Sequence, residues 1–104
     1  MHAVVNHLEF TDPVNPALFA RAESEAGDQI RGIPGFRSFR VVVTAERHAN
    51  LVILADTAQA LDDMAAQVGN TWMRANVVPL LSRPPERHLG EVVATVEVAD
   101  GGAG

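Results

Sequence analysis

Asn6 is the first side chain in this sequence whose type and position are suited to chemistry. It lies between Val4 and Leu8 on the more apolar face of the first predicted strand. An amide buried there without partners costs about 1–3 kcal/mol, so something must satisfy it. Either a backbone group or a water molecule at a sheet edge does so, or the amide positions a carbonyl group or dioxygen in a ligand site.

Trp72, Arg74 and Asn76 form a second group of candidates. Trp72 is the only tryptophan, and it lies between Gly69 and Pro79 in a helical stretch whose interruptions suit the margin of a pocket. The same spacing also suits a tryptophan packed in the core. Arg74 and Asn76 are near enough to reach the polar end of a ligand, although a solvated position also suits Arg74.

Composition and spacing exclude several classes of function. The chain has no cysteine, and its four histidines lack the spacing of metal ligands. No glycine-rich phosphate loop or nucleophile elbow occurs. A net charge of −5 argues against nucleic-acid binding, and no apolar run approaches the roughly 18 residues that span a bilayer. We therefore expect a cytoplasmic protein that binds neither nucleic acid nor membrane and holds no metal.

Six predicted elements would position these candidates. Helical spacing of apolar residues predicts helices over 16–30 and 57–81, the second interrupted at Gly69. Gly32, in the left-handed conformation, and Pro34 are expected to end the first helix. Alternating and β-branched residues predict four strands, over 2–10, 36–44, 51–55 and 88–98.

The order βαββαβ predicts an α+β, ferredoxin-like fold. Its four-stranded antiparallel sheet carries both helices on one face. Residues 1–98 would form this single domain, and 99–104 a flexible C-terminal tail. Val5, Val42 and Val93 are expected on the opposite face of the sheet, beside His7. Because that face is too apolar to leave in water, we predict a homodimer through facing sheets.

With its elements in this order, the chain resembles the antibiotic biosynthesis monooxygenase-like family of dimeric α+β barrels. The resemblance covers residues 2–98, and it rests on the Pro34-Gly35-Phe36 turn, the hairpin after it, the helix-rich region 57–81 and the closing strand 89–96. It implies a pocket between the sheet and the helices of each protomer. Members include cofactor-independent oxygenases of polyketide-like aromatics, quinol oxygenases and haem-degrading enzymes, so the shared fold alone does not fix the activity.

The haem-degrading branch of that family is matched only in part. Its first-strand pattern of Asn, any residue, an aliphatic residue, Glu and an apolar residue corresponds to residues 6–10. Its tryptophan would fall near Met64 and its axial histidine near Trp72 or Met73, but no histidine occurs from Thr57 to Leu81. Haem binding and degradation are therefore the least favoured of the implied activities.

The resemblance favours a cofactor-independent monooxygenase that acts on a small aromatic or polyketide-like substrate. A phenol or hydroquinone whose anion is stabilised can reduce dioxygen directly, so the protein supplies an apolar cavity and a few donors. The predicted catalytic residues are Asn6, Trp72 and Arg74, and no cofactor is expected. The predicted substrate-binding residues are Val4, Leu8, Phe39, Met64, Val68 and Asn76. The alternative is a non-catalytic dimeric module that binds a small ligand or regulates a partner.

Overall fold

The computed structural model describes residues 1–98, and the tail predicted over 99–104 lies outside the described residues. Four strands form one sheet: β1 (His2–Glu9), β2 (Phe36–Ala45), β3 (His48–Ala55) and β4 (Glu86–Glu91). Two long helices, α1 (16–30) and α2 (58–76), and a short 3₁₀ helix (Val78–Leu80) complete the fold. The strand order is β2-β3-β1-β4 with antiparallel neighbours, which confirms the predicted ferredoxin-like arrangement.

Capping residues define where both helices begin. Asn15 accepts a hydrogen bond from the Ala17 backbone N–H at 2.9 Å, and Pro16 then opens α1. Thr57 accepts one from the Ala60 N–H at 3.1 Å at the start of α2. Each helix widens into a π-helical stretch in its middle, over Ala22–Ala26 in α1 and over Ala65–Met73 in α2. Such wide turns often accompany functional sites.

Gly35 shapes the turn between α1 and β2. Its φ is +90°, whereas Gly32, where we expected the left-handed conformation, is not among the positive-φ glycines of residues 1–98. A Cβ at residue 35 would lie 3.1 Å from the Cβ of Ala60, and the Gly35 carbonyl accepts a hydrogen bond from the Asp56 N–H at 2.8 Å. Glycine therefore allows this turn to pack directly against the start of α2.

The β2–β3 connection is tighter than predicted. β3 begins at His48, not at Leu51, so the polar loop expected over 45–50 shrinks to Glu46 and Arg47. The reason is tertiary: His48 and Asn50 pair with residues of β1, which gives polar side chains a place in a central strand.

The second helix and the last strand also differ from their predicted bounds. α2 continues through Gly69 and ends at Asn76, because wide turns absorb the glycine without a break. β4 ends at Glu91, not at Val98. Its neighbour β1 begins at His2, the register partner of Glu91, and within residues 1–98 no strand lies beside the apolar residues that follow.

The core lies between the two helices and the inner face of the sheet. Val4 and Leu8 are buried there, while Val5 points to the outer face. In the register of the sheet, Asn6 lies opposite Leu51 on β3 and opposite Arg87 on β4, so these three side chains share the inner face. Within the described residues, no helix is both long enough and apolar enough to cross a membrane.

Candidate functional site

A cavity of about 390 Å³ lies between the inner face of the sheet and the two helices. Its volume is in the range of small-molecule sites. Aliphatic side chains from β1, β3, α1 and α2 make most of its wall, with Phe39 of β2 as an aromatic part. The polar lining residues are Asn6, Asn70, Arg74 and Arg87.

The cavity brings together seven of the nine site residues predicted from the sequence. It is lined by Val4, Asn6, Leu8, Phe39, Met64, Val68 and Arg74. Strand alternation explains the three residues of β1, since residues two apart point to the same face. Leu8 and Met64 are buried and form part of the floor.

The amide of Asn6 has no hydrogen-bond partner among residues 1–98. The side chain is half-buried and lines the cavity, with Val4 and Leu8 on either side along the strand. A polar group in such a wall is satisfied by solvent or by a ligand. The backbone partner considered in the first interpretation of Asn6 is therefore not found among residues 1–98, and a water molecule or a ligand is left to satisfy the amide.

Five lining residues are exposed. One of them is Val78, and we call the other four, Asn70, Arg74, Pro85 and Arg87, the mouth. Arg74 and Asn70 come from α2, and Arg87 comes from β4. Nη2 of Arg87 lies 3.5 Å from Oδ1 of Asp62, whereas Arg74 forms no ion pair with any described residue.

The lining contains two guanidinium groups and no carboxylate. It also contains no His, Cys or Tyr, and no group of three or more possible metal-ligating side chains occurs in the described part of the chain. A ligand in this cavity therefore meets aliphatic surface, amide groups and positive charge.

Trp72 and Asn76 do not line the cavity, in contrast to their predicted positions. The Trp72 side chain is buried, and its Nε1–H donates to Oε1 of Glu25 at 3.2 Å. Asn76 donates to the Trp72 carbonyl and accepts from Arg21 of α1, both at 2.9 Å. Both residues therefore join α2 to α1, because a buried indole needs a partner for its N–H and α1 provides one.

Glu25 is the centre of this helix–helix contact. Its carboxylate also accepts a hydrogen bond from Nε of Arg21 at 3.0 Å, and the Arg21 guanidinium lies 5.9 Å from the centre of the Trp72 ring system. The bond from Arg21, followed by the bond from Trp72, holds the pKa of Glu25 below its usual range. The same bond to Glu25 raises the pKa of Arg21.

Sequence reasoning missed Arg87, Asn70 and the contribution of α1, which lines the cavity with Ala26, Gly27 and Ile30. The sequence predicts that the last strand begins at His88, which leaves Arg87 outside the strand and assigns it to no face of the sheet. The observed β4 begins at Glu86, which puts Arg87 on the inner face opposite Asn6. Alternation counted back from Leu89 would have placed Arg87 on the same face as that residue.

The outer face of the sheet carries a different polar cluster. Nδ1 of His7 lies 3.1 Å from Oδ1 of Asn50, and Nε2 of His7 lies 3.2 Å from Nδ1 of His48. The two imidazole rings stack with their centres 5.3 Å apart. These side chains satisfy one another within the sheet, away from the cavity.

No protein-family model matches the sequence, and no curated protein matches it. Solved structures match over nearly the whole chain. ActVA-Orf6, a monooxygenase of Streptomyces coelicolor solved with nanaomycin D, has a TM-score of 0.76 and 17% identity over 94% of this chain and 92% of that chain. The cofactor-independent oxygenase SnoaB of Streptomyces nogalater has a TM-score of 0.72 and 16% identity, over 91% and 95% of the two chains.

The chain has the fold of the antibiotic biosynthesis monooxygenases. Structures carrying that family name are among the matches, which confirms at the level of the fold the resemblance inferred from the sequence. The same fold includes MhuD, a variant of which was solved with two manganese protoporphyrin IX groups per active site (TM-score 0.72, 19% identity, 94% of this chain and 100% of that chain). Proteins of this fold have therefore been solved with ligands as different as nanaomycin D and a porphyrin.

Proposed function

We propose that this protein is a cofactor-independent monooxygenase of a flat, hydroxylated aromatic substrate. The observation that carries the proposal is the unpartnered amide of Asn6 in the wall of an otherwise aliphatic cavity of about 390 Å³. An amide placed in this way orients one oxygen of a ligand, while the aliphatic wall holds the ring and keeps water away. The fold shared with ActVA-Orf6 and SnoaB supports this reaction class.

An anthrone-like substrate would itself supply every electron of the reaction. Loss of a proton gives an aromatic oxyanion, which transfers one electron to dioxygen. The superoxide and the substrate radical then combine, forming a C–O bond to a peroxide. When the O–O bond breaks, one oxygen remains as a new carbonyl group, and the other leaves as water with two hydrogens of the substrate.

Two cavity residues have roles in this scheme. The Asn6 amide N–H donates to the substrate oxygen on which negative charge develops. Arg74 stabilises the same anion through its positive charge, which no acidic residue among those described neutralises by an ion pair. For Trp72 and Asn76 we now propose a supporting role, in which they hold α2 against α1 and so maintain the cavity wall.

Oxygen consumption by the metal-free protein tests the proposal. With a panel of hydroquinones and anthrones, we expect saturable uptake that Asn6→Ala lowers by about 100-fold and that Arg74→Gln also lowers. Arg83→Gln is the matched control, because Arg83 is an exposed arginine outside the cavity lining and its loss should leave uptake unchanged. Uptake that is absent for every substrate, or unaffected by Asn6→Ala, would overturn the proposal.

A non-catalytic ligand-binding module is the second candidate, favoured by one observation. No Asp, Glu or His lines the cavity as described, so the site lacks a general base of the usual kind. If the substrate does not ionise by itself at neutral pH, the protein would bind it without turnover. Saturable binding with no oxygen uptake would decide for this candidate.

A porphyrin is the third ligand to test, since MhuD shares the fold. The lining of the cavity offers no imidazole. We therefore expect hemin titration to give no saturating one-to-one complex, and a stoichiometric shift of the Soret band would contradict this.

We also propose that a second copy of the chain covers the outer face of the sheet. Val42 is 45% exposed and Val5 38% exposed on that face. Val93, which we expected beside them, lies beyond β4 and is 88% exposed. A homodimer would remove these aliphatic groups from water, and light scattering at micromolar concentration should give twice the mass of one chain.

A further inference from the structure

The charge of the cavity is opposite to that of the whole protein. The chain carries 13 acidic and 8 basic residues, for a net charge of −5. Two of those basic residues, Arg74 and Arg87, line the cavity, and no acidic residue does. Both guanidinium groups lie at the exposed mouth, so water screens part of their attraction for an anion, and no acidic lining residue opposes it. The site is therefore suited to an anion, although the protein as a whole repels anions.

Arg87 is placed to bind a carboxylate at one end of a ligand. It lies directly opposite Asn6 in the pairing of β4 with β1, so the two side chains leave the inner face at positions about 5 Å apart. A ligand oriented by Asn6 thus has Arg87 beside it at the mouth. The guanidinium matches the planar shape and hydrogen-bonding pattern of a carboxylate better than any other side chain does.

Asp62, the present partner of Arg87, holds the guanidinium only loosely and leaves most of its N–H donors free. Its Nη2 lies 3.5 Å from Asp62 Oδ1, whereas the ion pairs of Arg21 with Glu25 and of Arg31 with Asp28 measure 3.0 and 3.1 Å. A separation of 3.5 Å exceeds that of a normal N–H···O bond. Asp62 is itself more than half exposed, so a carboxylate arriving from the cavity can compete with it.

We infer that the substrate is an aromatic hydroxy acid, and that Arg87 selects it by binding its carboxylate while Asn6 and Arg74 hold the hydroxyl oxygen on which negative charge develops. This inference rests on the proposed function for the choice of an aromatic ring. It adds a second anionic group to the substrate and assigns specificity to Arg87.

A binding measurement without oxygen tests the inference apart from the reaction. The probes are 9-anthracenecarboxylate and 9-anthracenemethanol, which share one ring system and differ in charge, and their fluorescence reports binding. We expect the wild-type protein to bind the acid at least about tenfold more tightly than the alcohol, with a preference that falls as salt is added. In Arg87→Gln the acid and the alcohol should bind about equally, and the affinity for the alcohol should stay unchanged.

Two further variants separate binding by Arg87 from a general effect of charge. Arg83→Gln removes the same charge from an arginine that also faces an acidic residue, Glu9 at 3.6 Å, but lies outside the cavity lining. It should keep the full preference for the acid. Asp62→Asn removes the competing carboxylate and should tighten binding of the acid by about two- to threefold, with no change for the alcohol.

The outcomes distinguish this inference from the proposed function. Equal binding of the two probes, binding of neither, or an acid preference that survives Arg87→Gln would overturn the inference. Oxygen uptake from neutral anthrones would leave the proposed function standing in each of those cases. Conversely, an acid preference lost in Arg87→Gln supports the inference even where no oxygen is consumed.

Discussion

Asn6 and His7 are neighbours on β1, yet their polar side chains are in opposite situations. On the outer face, both ring nitrogens of His7 have partners, Asn50 and His48. On the inner face, the amide of Asn6 has none among residues 1–98 and lines an aliphatic cavity. One residue is satisfied by the folded chain, whereas the other is left for solvent or a ligand.

This difference shows why a polar residue in a strand is informative only together with its surroundings. His7 belongs to the residue type that is most often catalytic, but its hydrogen bonds account for it structurally. Asn6 is a weaker candidate by type, and its lack of a partner makes it the stronger candidate by position. The predictions below test the contrast between the two faces, beginning with the largest expected effect.

Val42→Glu tests whether the outer face is covered by a second copy. A glutamate there would place an unpaired charge in a desolvated interface, at a cost of about 3 kcal/mol or more, so the dimer dissociation constant should rise at least about 100-fold. Analytical ultracentrifugation over a range of concentrations measures it. Val43→Glu is the matched control, because Val43 is the next residue of β2, points to the other face and is 54% exposed. Equal weakening by both variants would argue against facing sheets.

Gly69→Leu tests the cavity on the inner face. Apart from the backbone of its own helix, a Cβ at Gly69 would meet only the Ala65 Cβ, at 3.9 Å. Gly69 lines the cavity, so we expect a leucine there to extend into it. We expect the affinity for both anthracene probes to fall by about tenfold, with thermal stability kept or raised because leucine favours a helix over glycine. Ala66→Leu, at an exposed position on the same helix outside the lining, should leave binding unchanged.

Asn6→Leu and Asn50→Leu compare the same substitution on the two faces. Loss of the unpartnered Asn6 amide should leave the free energy of unfolding unchanged or raise it by up to about 1 kcal/mol. Loss of Asn50 removes the partner of His7 and should lower that free energy by about 1 kcal/mol. Urea denaturation at one protein concentration gives both values. A clear loss of stability in Asn6→Leu would mean that the fold itself depends on the amide.

The environment of Trp72, followed by its fluorescence, should change in acid but not when a ligand binds. Because the pKa of Glu25 is lowered in the folded state, first by Arg21 and then by Trp72, the contact stabilises the fold above the ordinary glutamate pKa of about 4.3. This contribution to the free energy of unfolding is lost as the pH falls through the lowered pKa of Glu25. It is small because the side chains of Arg21 and Glu25 are both about half exposed.

The fluorescence of this single tryptophan follows the change directly. We expect a transition below pH 4.3 that is absent in Glu25→Gln. The anthracene probes absorb at the wavelengths of indole emission and lower its intensity wherever they bind, so for them the readout is the emission wavelength, which should shift only slightly. A large wavelength shift on ligand binding at neutral pH would instead put the indole at the site.

Much of the fold and most of the cavity wall follow from local patterns in the sequence. Alternation in β1 places Val4, Asn6 and Leu8 on one face, and helical spacing puts Met64 and Val68 on the inner side of α2. The Pro34-Gly35 turn separates the first helix from the hairpin. These features depend on neighbours in the chain, so the sequence alone was sufficient to predict them.

Only the tertiary structure decided which polar groups are left without partners. Trp72 turns to α1 because Glu25 accepts its N–H, and Arg87 joins Asn6 because β4 begins at Glu86 and pairs with β1 in that register. Likewise, β4 stops at Glu91 because β1 begins at His2. Each of these outcomes depends on residues distant in sequence that meet only in the folded chain, so local periodicity carries no information about them.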